Sequence, residues 1–439
     1  MAAEIRDWAS ALPNAAMAEI ASRLPCRTDR AKMAAVCRTW RAASAQLPGR
    51  PPALPWLLIP TADSTRVHCF LRDDYHAHHR IDELPHTARY FGSHDGAWLF
   101  VAYGQTHSHE LFNLHDGAIQ IRFLPEMVDN HLIVILAATL SAPPYHPYCV
   151  GACIFTRWPE PDAADDIPSR RRFAWWRMGS QTANDFMPDP PPEPEPGWPT
   201  PADLEVEDVV FHGAAAAFHF LTRGEHIFVC RPAFNETGDV ALVPRLILFE
   251  PGRDYGGLVV HARYLVSSGV ELLMVVRFTN HQLMTSSFRV FRMIPPAQAQ
   301  MNQADVEEDG QDMEEDDDGE VVDPDEEVGD QGKEVDYLVD EAEHPWSWGE
   351  LHTLDGRMLF VGRGCSRSYN AAQYPELKAG IYFFDDRSFY DEEMMFGDDN
   401  EREYPCHDNG KWLEGPPPVV QRCPPENPSN HSPPAWLLP

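Results

Sequence analysis

From residue 56 to residue 384 the chain is a series of short apolar or alternating runs, each closed by turn residues, and none has the 3.6-residue period of an amphipathic helix. The runs lie at 56–59, 67–71, 98–103, 110–114, 119–123, 132–140, 149–155, 173–176 and 206–211. They continue at 217–221, 227–230, 242–249, 259–266, 270–278, 288–293, 358–362 and 381–384. Two joins carry Asp-Gly, at Asp95-Gly96 and Asp116-Gly117, which supplies the positive φ of a tight hairpin. A body of so many strands has to hide its edges, because an unpaired edge offers free N–H and C=O groups to other chains. Radial repetition into a β-propeller achieves this; a long pair of β-sandwiches is the structural alternative. Roughly 330 ordered residues at ~45–55 per repeat predict about six blades. The fold class expected is therefore mainly β, a propeller-like body over residues 56–439.

Ahead of it stands a helical module, residues 1–48. Leu12, Met17, Ile20 and Leu24 recur at helical spacing, with Asn14 placed to cap the first turn after Pro13. Leu24-Pro25 ends that helix, and a second can start after Thr28 with Met33, Val36, Trp40 and Ala43 on one side. Prolines 48, 51, 52 and 55 then make a linker over 49–55. Two or three helices in about 40 residues bury too little apolar surface to be stable without a staple or a partner.

The order Leu12-Pro13, Met17, Ile20, Leu24, then Val36-Cys37-Arg38-x-Trp40-Arg41 resembles the F-box, which docks a receptor onto the Skp-family adaptor of a cullin-based ubiquitin ligase. The resemblance implies that Leu12 and Pro13 insert at the adaptor surface, with Met17, Ile20 and Leu24 as the apolar face behind them. It implies that Val36, Cys37 and Trp40 close the module's core and part of the contact. Where that family has large aliphatics in the first helix, this chain has Ala16-Met17 and Ala21. A lost buried Leu costs roughly 1.5–3 kcal/mol, so adaptor binding weaker than the family's norm is expected.

Several function classes are disfavoured by composition. A formal net charge of -33 opposes unspecific binding to nucleic acid or to an anionic membrane, both of which need a basic face. Nine cysteines without a C-x-x-C pair read as buried thiols of a reducing compartment, not as a disulfide framework or a zinc site. No secretory signal is visible, and the longest apolar run, 132–140, falls short of the ~20 residues of a membrane span. A cytoplasmic or nuclear location is expected.

A second resemblance covers nearly the whole remainder. Its motifs are Ser93-His94-Asp95-Gly96-Ala97-Trp98-Leu99, Glu207-Asp208-Val209-Val210-Phe211-His212-Gly213, and Tyr264-Leu265-Val266 followed by Leu272-Leu273-Met274-Val275-Val276-Arg277. Leu359-Phe360-Val361-Gly362-Arg363, Gly380-Ile381-Tyr382-Phe383-Phe384-Asp385-Asp386 and Ser432-Pro433-Pro434-Ala435-Trp436 complete the set. Together they resemble the plant F-box proteins with a C-terminal domain of unknown function 295, or KIB-type region, which is similar to a kelch-like propeller.

Two segments interrupt the strands. Residues 187–201 are too proline-rich to pair and are expected to project as a stiff loop. Residues 297–343 form an acidic insertion expected to be disordered, since such a composition cannot bury enough apolar surface to offset its ordering entropy. It reads as a loop within a blade. Its bland role is solvation; its sharper one is docking a basic protein.

No catalytic constellation emerges. Ser93-His94-Asp95 cannot form a relay, because successive strand residues face opposite ways; a turn leading into Trp98 is expected. His76, His78 and His79 with Asp73 and Asp74, or His107 with His109, specify no closed metal shell. Gly362-x-Gly364 lacks the third glycine of a phosphate loop and reads as a strand end. Arg170-Arg171-Arg172 beside Trp175 and Trp176 is expected to flank a strand or meet the acidic loop. No cofactor, metal or active site is expected. The function implied is the substrate receptor of a Skp-cullin-F-box ligase, the helices binding the adaptor and the propeller a protein client. A scaffold with weakened adaptor binding and a propeller enzyme with a central-channel site are the alternatives.

Overall fold

In a computed structural model the described strands form six sheets arranged as the blades of a propeller and one small two-stranded sheet, Ala233–Phe234 with Val240–Ala241, preceded by three short helices. Residues 12–438 are described except 25–26, 46–51, 63, 70–76, 79–83, 86, 107, 115–119, 126–132, 158–169, 192–193, 195, 236–237, 239, 251, 297–336, 340–345, 375–376, 392–393, 396–401 and 424–426. The Asp116-Gly117 hairpin, His76, His79, His107, Asp73 and Asp74 lie outside the described residues.

Blade 1 joins Trp56–Pro60, Thr65–His68 and Ala77–His78 to the last strand, Ala435–Leu437, which pairs antiparallel with Trp56–Pro60. Blade 2 is Ala88–His94, Trp98–Tyr103, His109–Asn113 and Gln120–Phe123; blade 3 is Ile133–Leu140, Val150–Arg157, Arg172–Arg177 and Asn184–Phe186. Blade 4 holds Val206–His212, Ala217–Thr222, Ile227–Cys230 and Arg245–Ile247. Blade 5 holds Val259–Ser268, Glu271–Thr279, Thr285–Ile294 and Ser347–Leu351. Blade 6 runs from Arg357–Phe360 to Val419–Arg422.

The near-continuous apolar strands follow from burial on both faces. Along Trp98–Tyr103, Trp98, Phe100 and Ala102 enter the core between blades 2 and 3, while Leu99 and Val101 enter the core between blades 1 and 2. Six such cores, one between each pair of neighbours, complete the circle; the one between blades 6 and 1 holds Phe360, Tyr382 and Trp436. Blade 3 shows how tight the fit is: a Cβ on Gly151 would stand 2.3 Å from the Trp176 ring.

Three expectations need correction. The 187–201 segment does not simply project: Pro188 is buried, and Trp198 packs against the core between blades 3 and 4. The disorder expected over 297–343 does not hold at residues 337–339, the part of that segment within the described residues. Leu338–Val339 pairs parallel with Arg245–Ile247 at the edge of blade 4, and buried Tyr337 donates a hydrogen bond to the Asp189 carbonyl at 2.8 Å. Ser93 and His94 belong to the inner strand of blade 2; the expected turn into Trp98 is made by Asp95, Gly96 and Ala97, with Gly96 at φ +85°.

Candidate functional site

Two places carry chemistry that packing alone does not require. The first is the helical module. Its helices are Asn14–Ser22, Arg27–Val36 and Arg38–Ala45. Pro13 stands at the cap of the first, and its carbonyl accepts from Ala16 and Met17; no side chain caps that end, so Asn14 does not have the role its spacing suggested. The second predicted helix is broken at Cys37 into two. Met17, Ala21 and Met33 are buried together, with Leu12, Leu24, Trp40 and Ala43 packed against them.

Of the eight predicted adaptor residues, Leu12, Met17, Leu24 and Trp40 thus converge on one small core. Pro13 is exposed and Cys37 half-buried. Ile20 is 40% exposed and Val36 64% exposed. Val36 was expected to close the core and does not; the core position is taken by Met33, three residues earlier. Ala21 is buried between the helices, where its small size lets them approach. It is part of the module's interior and not a contact missing from its surface.

The second place is the centre of the ring. Arg277, fully buried, donates to Thr285 Oγ1 at 2.7 Å, to the Phe384 carbonyl and Asp408 Oδ2 at 2.8 Å, and to Asp386 Oδ1 at 3.1 Å. Arg363 also pairs with Asp386, donates to the Glu207 carbonyl and Tyr390 hydroxyl, and lies 3.7 Å over the Phe389 ring. Burial alone would raise the Asp386 carboxyl, but Arg363, His261 and Arg277 outweigh it and hold the group far below the usual carboxylate range. Asp208 accepts from the backbone N–H groups of Val209, Leu265 and Gly364, which joins blades 4, 5 and 6. Burial pushes its carboxyl up to about 7 against the pull of those bonds. Gly364, at φ +73°, sits so near the Ala138 backbone that a Cβ would meet the Ala138 carbonyl at 2.5 Å. Gly362-x-Gly364 is therefore a close approach at the ring centre, just past the strand Arg357–Phe360.

Beside this network lies a cavity of about 60 Å³ lined by Arg89, Leu136, Phe384, Phe389, Met395 and others. An open groove of about 490 Å³ occupies the face between blades 4 and 5, lined by Trp198, Arg223, Glu225, His226, Phe249 and Arg253.

The remaining sequence candidates do not assemble. Ser93 is fully buried, His94 is lowered to about 4 by burial with Arg367 beside it, and Asp95 pairs with Arg367 at 3.1 Å. Arg170 pairs with Asp189 and Arg172 with Asp185, while Arg171 lies over Phe389 and Tyr390; the trio flanks the strand Arg172–Arg177. Among the described residues no three His, Cys, Asp or Glu side chains converge as a metal site, and the cysteines are free thiols, Cys37 half-buried and the rest buried. No described helix is long and apolar enough to cross a membrane.

Comparison with known families places the ring. The model of the KIB1-4 β-propeller matches residues 69–313, more than half of the chain. The chain belongs to the KIB1-4 β-propeller family. No curated protein sequence matches it significantly. Within this KIB1-4 propeller the sequence signals missed Arg89, Arg277 and Asp408. Arg277 had one available signal, a cation inside the run Leu272–Phe278, because a charge in a two-faced strand needs a buried partner.

Proposed function

We propose that this protein is a substrate receptor of a Skp-cullin-F-box ubiquitin ligase. The N-terminal helices bind the Skp-family adaptor, and the propeller holds a protein client near a ubiquitin-charged enzyme supplied by others. Its contribution is effective concentration, not chemistry of its own. The observation that carries this reading is the surface of the helical module: Pro13, Ile20 and Val36 are apolar, exposed and not needed by the module's own core. A core of three buried side chains among the described residues also favours a module completed by a partner. Client contact is assigned to the loop-built face, where the groove between blades 4 and 5 offers both aromatic and charged walls.

The test is copurification of the full chain with a Skp-family adaptor, beside a variant carrying Pro13→Ala, Ile20→Ala and Val36→Ala. Binding by the parent and a loss of at least tenfold in the variant is the expected result. If neither binds, the scaffold reading replaces the ligase reading.

A further inference from the structure

One buried cation near the ring centre lies outside the ion pairs described there. Arg277 and Arg363 are answered by Asp386 and Asp408. Arg89, on the inner strand of blade 2, is 6% exposed, and its Nε and Nη2 atoms have no hydrogen-bond partner among the described residues. Among the described residues its neighbours are the Phe91 ring at 5.2 Å, Tyr404 and the other walls of the 60 Å³ cavity. Arg402 is a like charge beside it and does not relieve it. A buried cation without a counter-charge is costly, so natural cores pair such groups.

The open atoms specify the missing group. Nε–H and Nη2–H lie on the same edge of a guanidinium and point in parallel, the arrangement that takes two oxygens of one oxyanion. The cavity has room for roughly four water-sized groups at ~10–15 Å³ each. Beyond the guanidinium its walls include Phe91, Leu136, Phe384, Phe389 and Met395, apolar surfaces that suit a short hydrocarbon stem, and the Arg363–Asp386 pair, whose charges offset each other. We propose that the cavity is a binding site for a single carboxylate carried on a short apolar stem, held side-on by Arg89. The stem belongs either to a free organic acid or to an acidic side chain of a peptide. This assignment stands independently of the ligase reading.

The experiment is calorimetric titration and thermal unfolding of the full chain with propionate, propionamide, inorganic phosphate and a short peptide containing one glutamate. Propionate is expected to bind one to one and raise the unfolding temperature, with propionamide at least tenfold weaker. Arg89→Met is expected to unfold at a higher temperature than the parent in oxyanion-free buffer and to lose the propionate response. Arg89→Lys, which keeps the charge and loses the paired donors, should bind at least tenfold more weakly and carries the test if the methionine variant does not fold. A glutamate peptide binding tenfold tighter than propionate assigns the carboxylate to a partner chain, and equal or weaker binding assigns it to a free acid. Equal binding of propionamide, an unchanged propionate response in both variants, or phosphate binding tenfold tighter than propionate overturns the proposal.

Discussion

The ring and the helices ahead of it solve the same problem at different scales. Each blade is buried on two faces, and the six cores close on themselves, so every blade has two neighbours. The helical module has one core, with Met17, Ala21 and Met33 as its fully buried members. The ring is thus self-sufficient, whereas the module sits near the limit at which apolar burial offsets chain entropy. The ring can afford a central network of buried charges; the module has no reserve for one.

The sharpest way to break this contrast is at the centre of the ring. Replacing Arg277 with Ala leaves Asp408 and Asp386 short of their cation and should cost about 3–5 kcal/mol. Thermal unfolding followed by near-UV signal from the propeller's aromatics is the measurement. A loss below about 1 kcal/mol would mean that the network is not what binds blades 5 and 6 together.

A smaller effect is expected in the module. Met17→Ala empties much of its core, a change worth about 2–5 kcal/mol in a well-packed interior, and should melt the helices. The propeller's transition should stay within about 0.5 kcal/mol of the parent. Loss of helical circular dichroism with an unmoved main transition is the expected pair of readings; a coupled loss would show that module and ring fold as one unit.

A third effect comes from pH. Burial lowers His94, His219 and His226 to about 4, below the ~6.5 of the unfolded chain. These histidines are neutral in the folded ring, so their contribution is complete above pH ~6.5 and is lost as pH falls from there toward 4. Each adds at most about 1.4 kcal/mol per pH unit to the slope. Asp208, raised to about 7, acts in the opposite sense over the same window, since its folded form holds a proton that the unfolded form releases. With three groups against one, the unfolding temperature of the ring should fall between pH 7 and pH 5. The described module residues contain no histidine and should not follow.

Much of this contrast was legible beforehand, and the failures are informative. Strands Trp98–Tyr103 and Ile227–Cys230 appear with the predicted bounds because their apolar runs end at turn residues. The run at 242–249 shrinks to Arg245–Ile247, with Pro244, which has no N–H to give, just outside the paired segment. Ala88–His94 was missed altogether: Arg89, Ser93 and His94 make it look like a loop, yet all seven residues are buried. Inner strands of a ring face one another's polar groups, and that pairing is invisible along one strand. Arg277 and Asp408 lie 131 residues apart. In the module the helical period located the core but not which residues face outward, because three short helices leave Val36 at an end where the period no longer decides.

The strand Ala435–Leu437 completes the inner edge of blade 1 beside Ala88–His94. During synthesis this orders events in time. The helices and the first strands emerge first, but the ring cannot close until residue 437 has been made, and until then the faces that receive Trp436 and Leu437 stay open. N-terminal units fold as they appear, whereas contacts between distant parts of a chain form slowly. The end proposed to meet the adaptor is therefore finished before the face proposed to meet a client exists. A chain cut short of that strand would keep the first while lacking the second.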